Sequence, residues 1–246
     1  MERDNKAILI TGASSEVGVN LIKRIYRDYN TMYLHYGHMN DSLSAVIDEI
    51  SEATNVICLE ADFNIPKEVE HMVNDILSGD ILPNNIVHIS APPVHNKQFH
   101  KEEWEAFDMG WDISVRSVFF ILKSLIPTMS KSKYGRIVFM LTSNTIGNPA
   151  KFQSAYVTYK YALLGLMKSL SVEYIDKGIT VNAVSPDMME TKFLKDVPRL
   201  IVEQNAANSP LGRNIRVEEV APMIEYFLSD NADAVTGQNV GITGGL

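Results

Sequence analysis

Several features are scarce in this 246-residue chain, and each scarcity excludes a class of protein. It has a single cysteine, Cys58, so no disulfide can form within the chain. Cys58 lies in the apolar run 56–59, which predicts a buried and inert thiol. The chain has 22 basic and 30 acidic residues, a net charge of −8, which argues against nucleic acid or anionic lipid as a main partner.

Long apolar runs are also lacking. No stretch approaches the ~18 consecutive apolar residues of a membrane span, and the charged start, residues 1–6, is unlike a signal peptide. We therefore expect a cytoplasmic protein that does not enter a membrane. Of the six histidines, His88, His95 and His100 are nearest one another, but none has tight ligand spacing with a cysteine or a carboxylate. No metal site is predicted.

Short apolar runs alternate with longer segments of helical period, which predicts βαβ units and a parallel sheet. The predicted strands are residues 7–10, 32–36, 56–59, 86–89, 136–141, 180–184 and 239–242. The predicted helices are residues 17–28, 43–52, 66–77, 102–129, 155–176 and 217–228. We therefore expect one Rossmann-type α/β domain over residues 1–246, a doubly wound sheet of seven parallel strands with helices on both faces. Residues 187–214 break the pattern and are predicted to form a substrate lid.

Two motifs in this pattern carry chemistry. The first strand runs into the turn Thr11-Gly12-Ala13-Ser14-Ser15-Glu16-Val17-Gly18, after which helical spacing begins. A glycine-bearing turn at a helix N-terminus exposes backbone N–H groups to a pyrophosphate. Farther along, Tyr156 and Lys160 stand four residues apart on one helical face, and Ser143 lies just beyond a strand.

Together these motifs resemble the short-chain dehydrogenase/reductase family, whose glycine turn reads TGxxxGxG and whose catalytic core is a serine followed by YxxxK. The resemblance covers residues 8–245 and includes Asp62, Thr191 and the run Thr236-Gly237-Gln238. Spacing and order are similar in particular to the 3-oxoacyl-[acyl-carrier-protein] reductase branch. The resemblance implies an oxidoreductase that uses a nicotinamide cofactor.

The chemistry of the three side chains fits ketone reduction. The developing alkoxide needs an acid, and an ammonium one helical turn away, at Lys160, is expected to lower the pKa of Tyr156 toward neutral pH. Ser143 would hydrogen-bond the carbonyl oxygen. The resemblance adds a fourth catalytic position, Ser114, where the family has an asparagine that holds a water.

The resemblance also implies a cofactor-binding set, drawn from the glycine turn and the ends of the later strands: Gly12, Ser14, Ser15, Glu16, Val17, Gly18, His38, Asp62, Phe63, Ser90, Ala91, Tyr156, Lys160, Pro186, Met189 and Thr191. NAD selectivity commonly rests on an acid about 20 residues after the turn. The first acid after the second strand is Asp41, which is too late, so NADP(H) is favoured over NAD(H). His38 could contact the 2′-phosphate, although Ser15 stands where NADP-dependent relatives often carry a basic residue.

Four positions depart from the family pattern. Glu16 replaces the middle glycine of the turn, and its carboxylate either points to solvent, which we favour, or remodels the turn. Pro92 stiffens the loop after the fourth strand, Ser114 reaches less far than asparagine, and Asp187 stands where the family has glycine. These departures motivate a hypothesis of another class, a catalytically idle dinucleotide-binding scaffold.

We expect the substrate to be a ketone, reduced to a secondary alcohol. The first candidate is a 3-oxoacyl thioester on acyl carrier protein or coenzyme A, and the alternative is a sugar, a polyol or a specialised metabolite. Lys133 and Lys177 stand where carrier-dependent relatives place basic residues. Apolar lid residues suggest an acyl-bearing substrate, although they could equally pack inward: Met188, Met189, Phe193, Leu194, Val197, Leu200 and Ile201.

The two long helices carry apolar residues on more than one face: Trp111, Phe119, Phe120, Leu163, Leu166 and Met167. Such faces must be covered, and similar proteins cover them in a helix-bundle interface. We therefore predict a homotetramer, or at least a dimer.

Overall fold

The computed structural model describes Arg3 and residues 6–94, 96–194 and 197–245. Seven strands form one parallel sheet in the order β3-β2-β1-β4-β5-β6-β7. The strands are β1 Ala7–Thr11, β2 Thr31–Tyr36, β3 Asn55–Glu60, β4 Asn85–His88, β5 Gly135–Met140, β6 Ile179–Pro186 and β7 Asn239–Ile242. All seven predicted strands are present, so the predicted fold class is confirmed; the single domain over residues 1–246 stays a prediction.

Helices cover both faces of the sheet. They are α1 Glu16–Ile25, α2 Asp41–Ile50, α3 Pro66–Leu77, α4 Trp104–Gly110, α5 Ser117–Ser132, α6 Ser154–Glu173, α7 Arg199–Asn208 and α8 Ala221–Leu228. One core lies between the sheet and α3, α5 and α6, and the other between the sheet and α1, α2 and α8. Successive residues of β1 alternate between them, with Leu9 in the first core and Ile10 in the second.

The strand order reverses at β1, which pairs with β2 on one side and β4 on the other. In such sheets the connections on either side of the reversal leave in opposite directions, and a crevice opens at the carboxyl ends of the strands. This topology places the ends of β1, β4, β5 and β6 around one cleft.

The long segment predicted as one helix over residues 102–129 is interrupted. A wide π-helical turn, Trp111–Arg116, separates α4 from α5. By length and composition alone the stretch Trp104–Ser132, with the π-helical turn included, is apolar enough to cross a membrane. It carries part of the first core, through Val118, Ile121 and Leu125, and a core helix of a globular protein passes the same test.

Burial corrects two further expectations. Cys58 is exposed rather than buried, because β3 is an edge strand and most of its side chains are covered only in part. Leu163 and Met167 are fully buried in the first core, so they cannot belong to an interface between chains. Phe119 and Phe120 on α5, in contrast, are exposed as expected.

We expect Gly178→Ala to destabilise the fold by about 1–3 kcal/mol. Gly178 links α6 to β6 with φ +72°, and a Cβ there would overlap the carbonyl oxygen of Lys133. At Gly165 inside α6, no atom of the described residues lies within 4 Å of an added Cβ. Gly165→Ala is therefore the matched control and should stabilise the helix by about 0.5–1 kcal/mol. Urea unfolding midpoints test both. Destabilisation of similar size in both variants would contradict this explanation.

Candidate functional site

A cleft of about 1300 Å³ opens at the carboxyl ends of the strands. The structure brings most of the predicted site residues to its walls: Gly12, Ser14, Ser15, Glu16, Val17, Asp62, Phe63, Ser90, Ala91, Ser143, Tyr156, Lys160, Pro186, Met189 and Thr191. Three predicted residues lie elsewhere. Gly18 is buried within α1, His38 is exposed beyond the end of β2, and Ser114 is buried in the π-helical turn.

The glycine turn packs too closely against its neighbours to hold a side chain at either glycine. Gly12 has φ +71°, and a Cβ there would lie 3.1 Å from the backbone nitrogen of Ser90. A Cβ on Gly18 would lie 2.7 Å from the carbonyl oxygen of Ala13. Ser15 caps α1, since its Oγ accepts a hydrogen bond from the N–H of Gly18 at 3.1 Å. The residues present therefore fit the diphosphate of a dinucleotide at the N-terminus of α1.

Glu16 behaves as neither alternative predicted. The turn keeps its helix cap, so it is not remodelled, yet the carboxylate does not simply face solvent. Its Oε1 accepts a hydrogen bond at 3.0 Å from the backbone N–H of Lys192, in the predicted lid. Glu16 therefore links the glycine turn to the segment predicted to be a lid.

His35 shapes the other side of the turn, although sequence reasoning did not select it. Its ring stacks on Phe63 with centroids 3.8 Å apart. Burial lowers the pKa of His35 to about 4, so the ring is neutral at pH 7. Because the carbonyl of Ala61 can only accept, Nε2 carries the proton (3.0 Å), and Nδ1 accepts from the N–H of Gly12 at 3.2 Å. His35 thus fixes the turn relative to Asp62 and Phe63.

Tyr156 and Lys160 project from α6 into the cleft as their spacing predicts. Lys160 is buried, its Nζ donates a hydrogen bond to the carbonyl of Met140 at 2.7 Å, and burial lowers its pKa to about 7. Nζ lies 5.9 Å from the centroid of the Tyr156 ring. Burial raises the pKa of Tyr156, and a hydrogen bond with Thr142 opposes this only in part. The expected lowering of that pKa by Lys160 is wrong for this structure, because desolvation dominates.

Ser143 lies three residues beyond the end of β5 and near Asp187, one of the four departures. Its Oγ donates a hydrogen bond to Oδ1 of Asp187 at 2.9 Å. The other carboxylate oxygen, Oδ2, accepts from Nδ2 of Asn205 on α7 at 3.0 Å. The sequence flagged Asp187 only as a doubt about the backbone, and no pattern pointed to Asn205.

Ser114 lies behind the cleft wall, and its carbonyl accepts a hydrogen bond from Nε2 of His88 at 2.9 Å. Nδ1 of His88 then accepts from the Thr11 hydroxyl at 2.8 Å. Burial lowers the pKa of His88 to about 3, so the ring is neutral. The Ser114 hydroxyl is buried and has no hydrogen-bond partner among the residues that the structure describes. His88 therefore ties the π-helical turn to the ends of β1 and β4, a role that its position directly after the apolar pair Ile86-Val87 could have suggested.

The other histidines considered for a metal are apart from this site. His100 is exposed, and His95 lies outside the described residues. Within residues 6–94, 96–194 and 197–245, no three His, Cys, Asp or Glu side chains are grouped so that they could hold a metal ion.

The predicted lid is apolar only in part. Met188, Met189, Leu194 and Val197 line the cleft, whereas Leu200 and Ile201 are exposed on α7 and the side chain of Phe193 lies outside the described part. Lys133 and Lys177 precede β5 and β6, at the amino ends of the strands. The two lysines therefore lie on the sheet edge opposite the cleft.

Comparisons with known proteins agree with this fold. The family model described as "Enoyl-(Acyl carrier protein) reductase" matches residues 29–246. A 3-oxoacyl-[acyl-carrier-protein] reductase of Staphylococcus epidermidis is 28% identical over an alignment of 250 residues that covers 98% of this chain and 99% of the relative. A D-beta-hydroxybutyrate dehydrogenase of Rhizobium meliloti is 29% identical over 259 residues, with 98% of each chain covered. The crystal structure of an actinorhodin polyketide ketoreductase with NADPH has a TM-score of 0.88 at 24% identity, covering 99% of this chain and 98% of that one.

The buried amine of Lys160 predicts a pH-dependent stability. Its pKa is about 7 in the folded chain against 10.5 ordinarily, so between these values the unfolded chain binds the extra proton. Stability therefore rises with pH in this window, by up to about 1.4 kcal/mol per pH unit. Relative to Lys160→Met, which cannot titrate, the wild type should gain stability from pH 7 to pH 9 in urea unfolding. A difference that stays flat across this range would contradict the lowered pKa.

Proposed function

The chain belongs to the short-chain dehydrogenase/reductase family and is an oxidoreductase, and from this premise we propose that it reduces a ketone to a secondary alcohol with NADPH. The observation that carries the proposal is the convergence of Tyr156, Lys160 and Ser143 on one wall of the cleft that also holds the glycine turn. A scaffold without activity would not require these three side chains together.

In this proposal the chain's own residues hold and move the proton. The bound nicotinamide supplies the hydride for the carbonyl carbon. Tyr156, kept protonated near neutral pH by its raised pKa, donates its hydroxyl proton to the carbonyl oxygen. Burial lowers the pKa of Lys160 to about 7, so its amine is suited to replace the proton that Tyr156 gives up. Ser143 orients the carbonyl oxygen.

The preference for NADP(H) over NAD(H) rests on charge around the turn. The first acid after β2, Asp41, begins α2 and is exposed. Lys23 of α1 lines the same end of the cleft, together with Asn40, whose Nδ2 donates to the carbonyl of Ser14 at 2.8 Å. A lysine and an amide suit a 2′-phosphate better than they suit a bare ribose. His38, the residue suggested by the sequence, is not among the side chains that line the cleft.

Two substrate classes are candidates. The first is a 3-oxoacyl thioester linked to acyl carrier protein or coenzyme A, supported by the name of the Staphylococcus epidermidis relative and by the apolar side chains of Met188, Met189 and Leu194. The second is a sugar, polyol or other hydroxylated ketone, favoured by the carboxylate of Asp187 at the catalytic serine. The position of Lys133 and Lys177 gives no support to carrier docking beside the cleft of the same chain.

Assembly and location complete the proposal. A homotetramer would cover the exposed aromatic side chains of α4, the π-helical turn and α5, which are Trp104, Trp111, Phe119 and Phe120. It would also cover Val172 on α6. Val172 is 78% exposed, which is large for a β-branched side chain on a helix. The acidic chain is proposed to work in the cytoplasm, on a small-molecule or acyl-thioester substrate.

Tyr156→Phe tests the proposed acid. The change removes only the hydroxyl, so we expect turnover with NADPH and any ketone substrate to fall by about 100-fold or more, with cofactor binding retained. Steady-state rates and fluorescence titration measure the two effects. Tyr161→Phe, an exposed tyrosine of the same helix, is the control. Undiminished turnover in Tyr156→Phe would show that the acid lies elsewhere.

Cofactor binding tests the glycine turn and the link formed by Glu16. Removal of a carboxylate next to the phosphates should favour them, so Glu16→Gln is expected to bind NADPH roughly tenfold more tightly, about 1.4 kcal/mol. Titration of nicotinamide fluorescence with NADPH and NADH gives both affinities, and NADPH should bind more tightly than NADH. Glu70→Gln, on the exposed face of α3, is the control. Absence of binding by the wild type at millimolar cofactor would contradict the proposed reductase and the dinucleotide-binding scaffold alike.

A further inference from the structure

Asp187 changes what the catalytic serine can offer to a substrate. A serine hydroxyl has one proton and two lone pairs. Ser143 gives that proton to Oδ1 of Asp187 at 2.9 Å. While this hydrogen bond stands, Ser143 presents only lone pairs to the cleft, and a carbonyl oxygen, itself an acceptor, cannot bind there.

The carboxylate is held in place from several sides. Its Oδ2 accepts from Nδ2 of Asn205 at 3.0 Å, and Nδ2 also reaches Oδ1 of Asn214 at 3.1 Å. The backbone N–H of Asp187 donates to the carbonyl of Ile242 at 3.1 Å. Asp187 is therefore a fixed part of the cleft wall, where both strand β7 and helix α7 position it.

The charge of Asp187 is compensated by neutral donors. The ion pairs found in the described residues do not include it, and its side-chain partners there are a hydroxyl and an amide. A half-buried carboxylate oxygen that loses a donor is destabilised, because water no longer solvates it fully. Oδ1 of Asp187 therefore still requires a hydrogen-bond donor when the Ser143 hydroxyl rotates away.

Ketone reduction sets up a competition for the Ser143 proton. To bind the carbonyl oxygen, Ser143 must rotate its hydroxyl from Asp187 toward the substrate. Oδ1 then needs a replacement, and the substrate itself can supply one if a donor lies on the carbon next to the carbonyl. A hydroxyl meets this demand, and an ammonium group meets it with added charge attraction.

We propose that Asp187 makes this site selective for ketones that carry a hydroxyl or ammonium group on the carbon adjacent to the carbonyl. This inference rests on the proposed ketone reduction and decides between its two substrate classes. In the reaction, the C=O π bond is broken, hydride from NADPH adds to the carbon and the Tyr156 proton adds to the oxygen. The products are a vicinal diol or amino alcohol and oxidised cofactor, and Asp187 acts as a specificity residue with no proton lost or gained.

The test compares matched substrates on the purified full-length chain with NADPH. Hydroxyacetone and aminoacetone carry the donor, acetone lacks it, and pyruvate places an anion there. For each, kcat/KM is measured in the wild type and in Asp187→Gly, which removes the carboxylate. Ratios between the two proteins cancel the different intrinsic reactivities of the ketones.

We expect the preference of the wild type for hydroxyacetone over acetone to fall at least tenfold in Asp187→Gly, and pyruvate to improve in the variant. Asp187→Asn keeps the shape of the side chain and one accepting oxygen but removes its charge. This variant should therefore retain most of the preference for hydroxyacetone over acetone and lose the preference for aminoacetone over hydroxyacetone. Glu203→Gln, an exposed carboxylate on α7, is the charge control and should leave all ratios unchanged.

The possible failures are distinguishable. If the preference ratios are the same in wild type and Asp187→Gly, the inference is wrong while ketone reduction stands. The inference is equally wrong if acetoacetyl-coenzyme A is reduced faster than every small ketone and Asp187→Gly does not change that order. If NADPH binds but no ketone of either class is reduced, the proposed function fails and this inference with it. Should Asp187→Gly not fold by circular dichroism, the aminoacetone ratio in Asp187→Asn decides.

Discussion

Parallel pairing of β1 with β4 is the constraint on which the rest of this structure depends. It brings Thr11 and His88 side by side at the ends of their strands, and the hydrogen bond between them continues through His88 to the carbonyl of Ser114. The same pairing places Ser90 so close to Gly12 that any side chain there would be crowded. Because the reversal of strand order occurs here, the cleft, the glycine turn and the π-helical turn are all positioned by one pair of strands.

Periodicity was sufficient to predict the strands, since each is a short apolar run with turn residues on both sides and tertiary contacts did not override it. Periodicity did not predict the features that depend on contacts between elements distant in sequence. The π-helical turn at Trp111–Arg116 has no sequence period of its own, and exposure of Cys58 depends on which strand lies at the edge, which local sequence does not encode. The glycine turn and the Tyr156–Lys160 pair were predictable because their spacing is local, whereas the contact of Ser143 with Asp187 joins residues 44 positions apart.

Proton energetics at the site are governed by desolvation more than by charge pairing. From spacing alone, an ammonium at Lys160 should favour the tyrosinate form of Tyr156. In the folded chain the same burial that brings the two residues together opposes charge on both, lowering the pKa of Lys160 to about 7 and raising that of Tyr156. At neutral pH the phenol of Tyr156 is therefore protonated, and the amine of Lys160 is close to its pKa. A protonated phenol is the form that a proton donor in a reduction requires.

The departures from the family pattern look like losses in the sequence, but two of them form new contacts with the same segment. Glu16 accepts a hydrogen bond from the backbone of Lys192 at the end of the cleft that holds the glycine turn, and Asp187 accepts one from Asn205 of α7 at the end that holds Ser143. Both carboxylates have hydrogen-bond donors in the folded chain: the backbone N–H of Lys192 for Glu16, and the side chains of Ser143 and Asn205 for Asp187. Because each carboxylate is satisfied in this way, the two departures are integrated into the walls of the cleft, which weighs against the interpretation of these positions as simple losses.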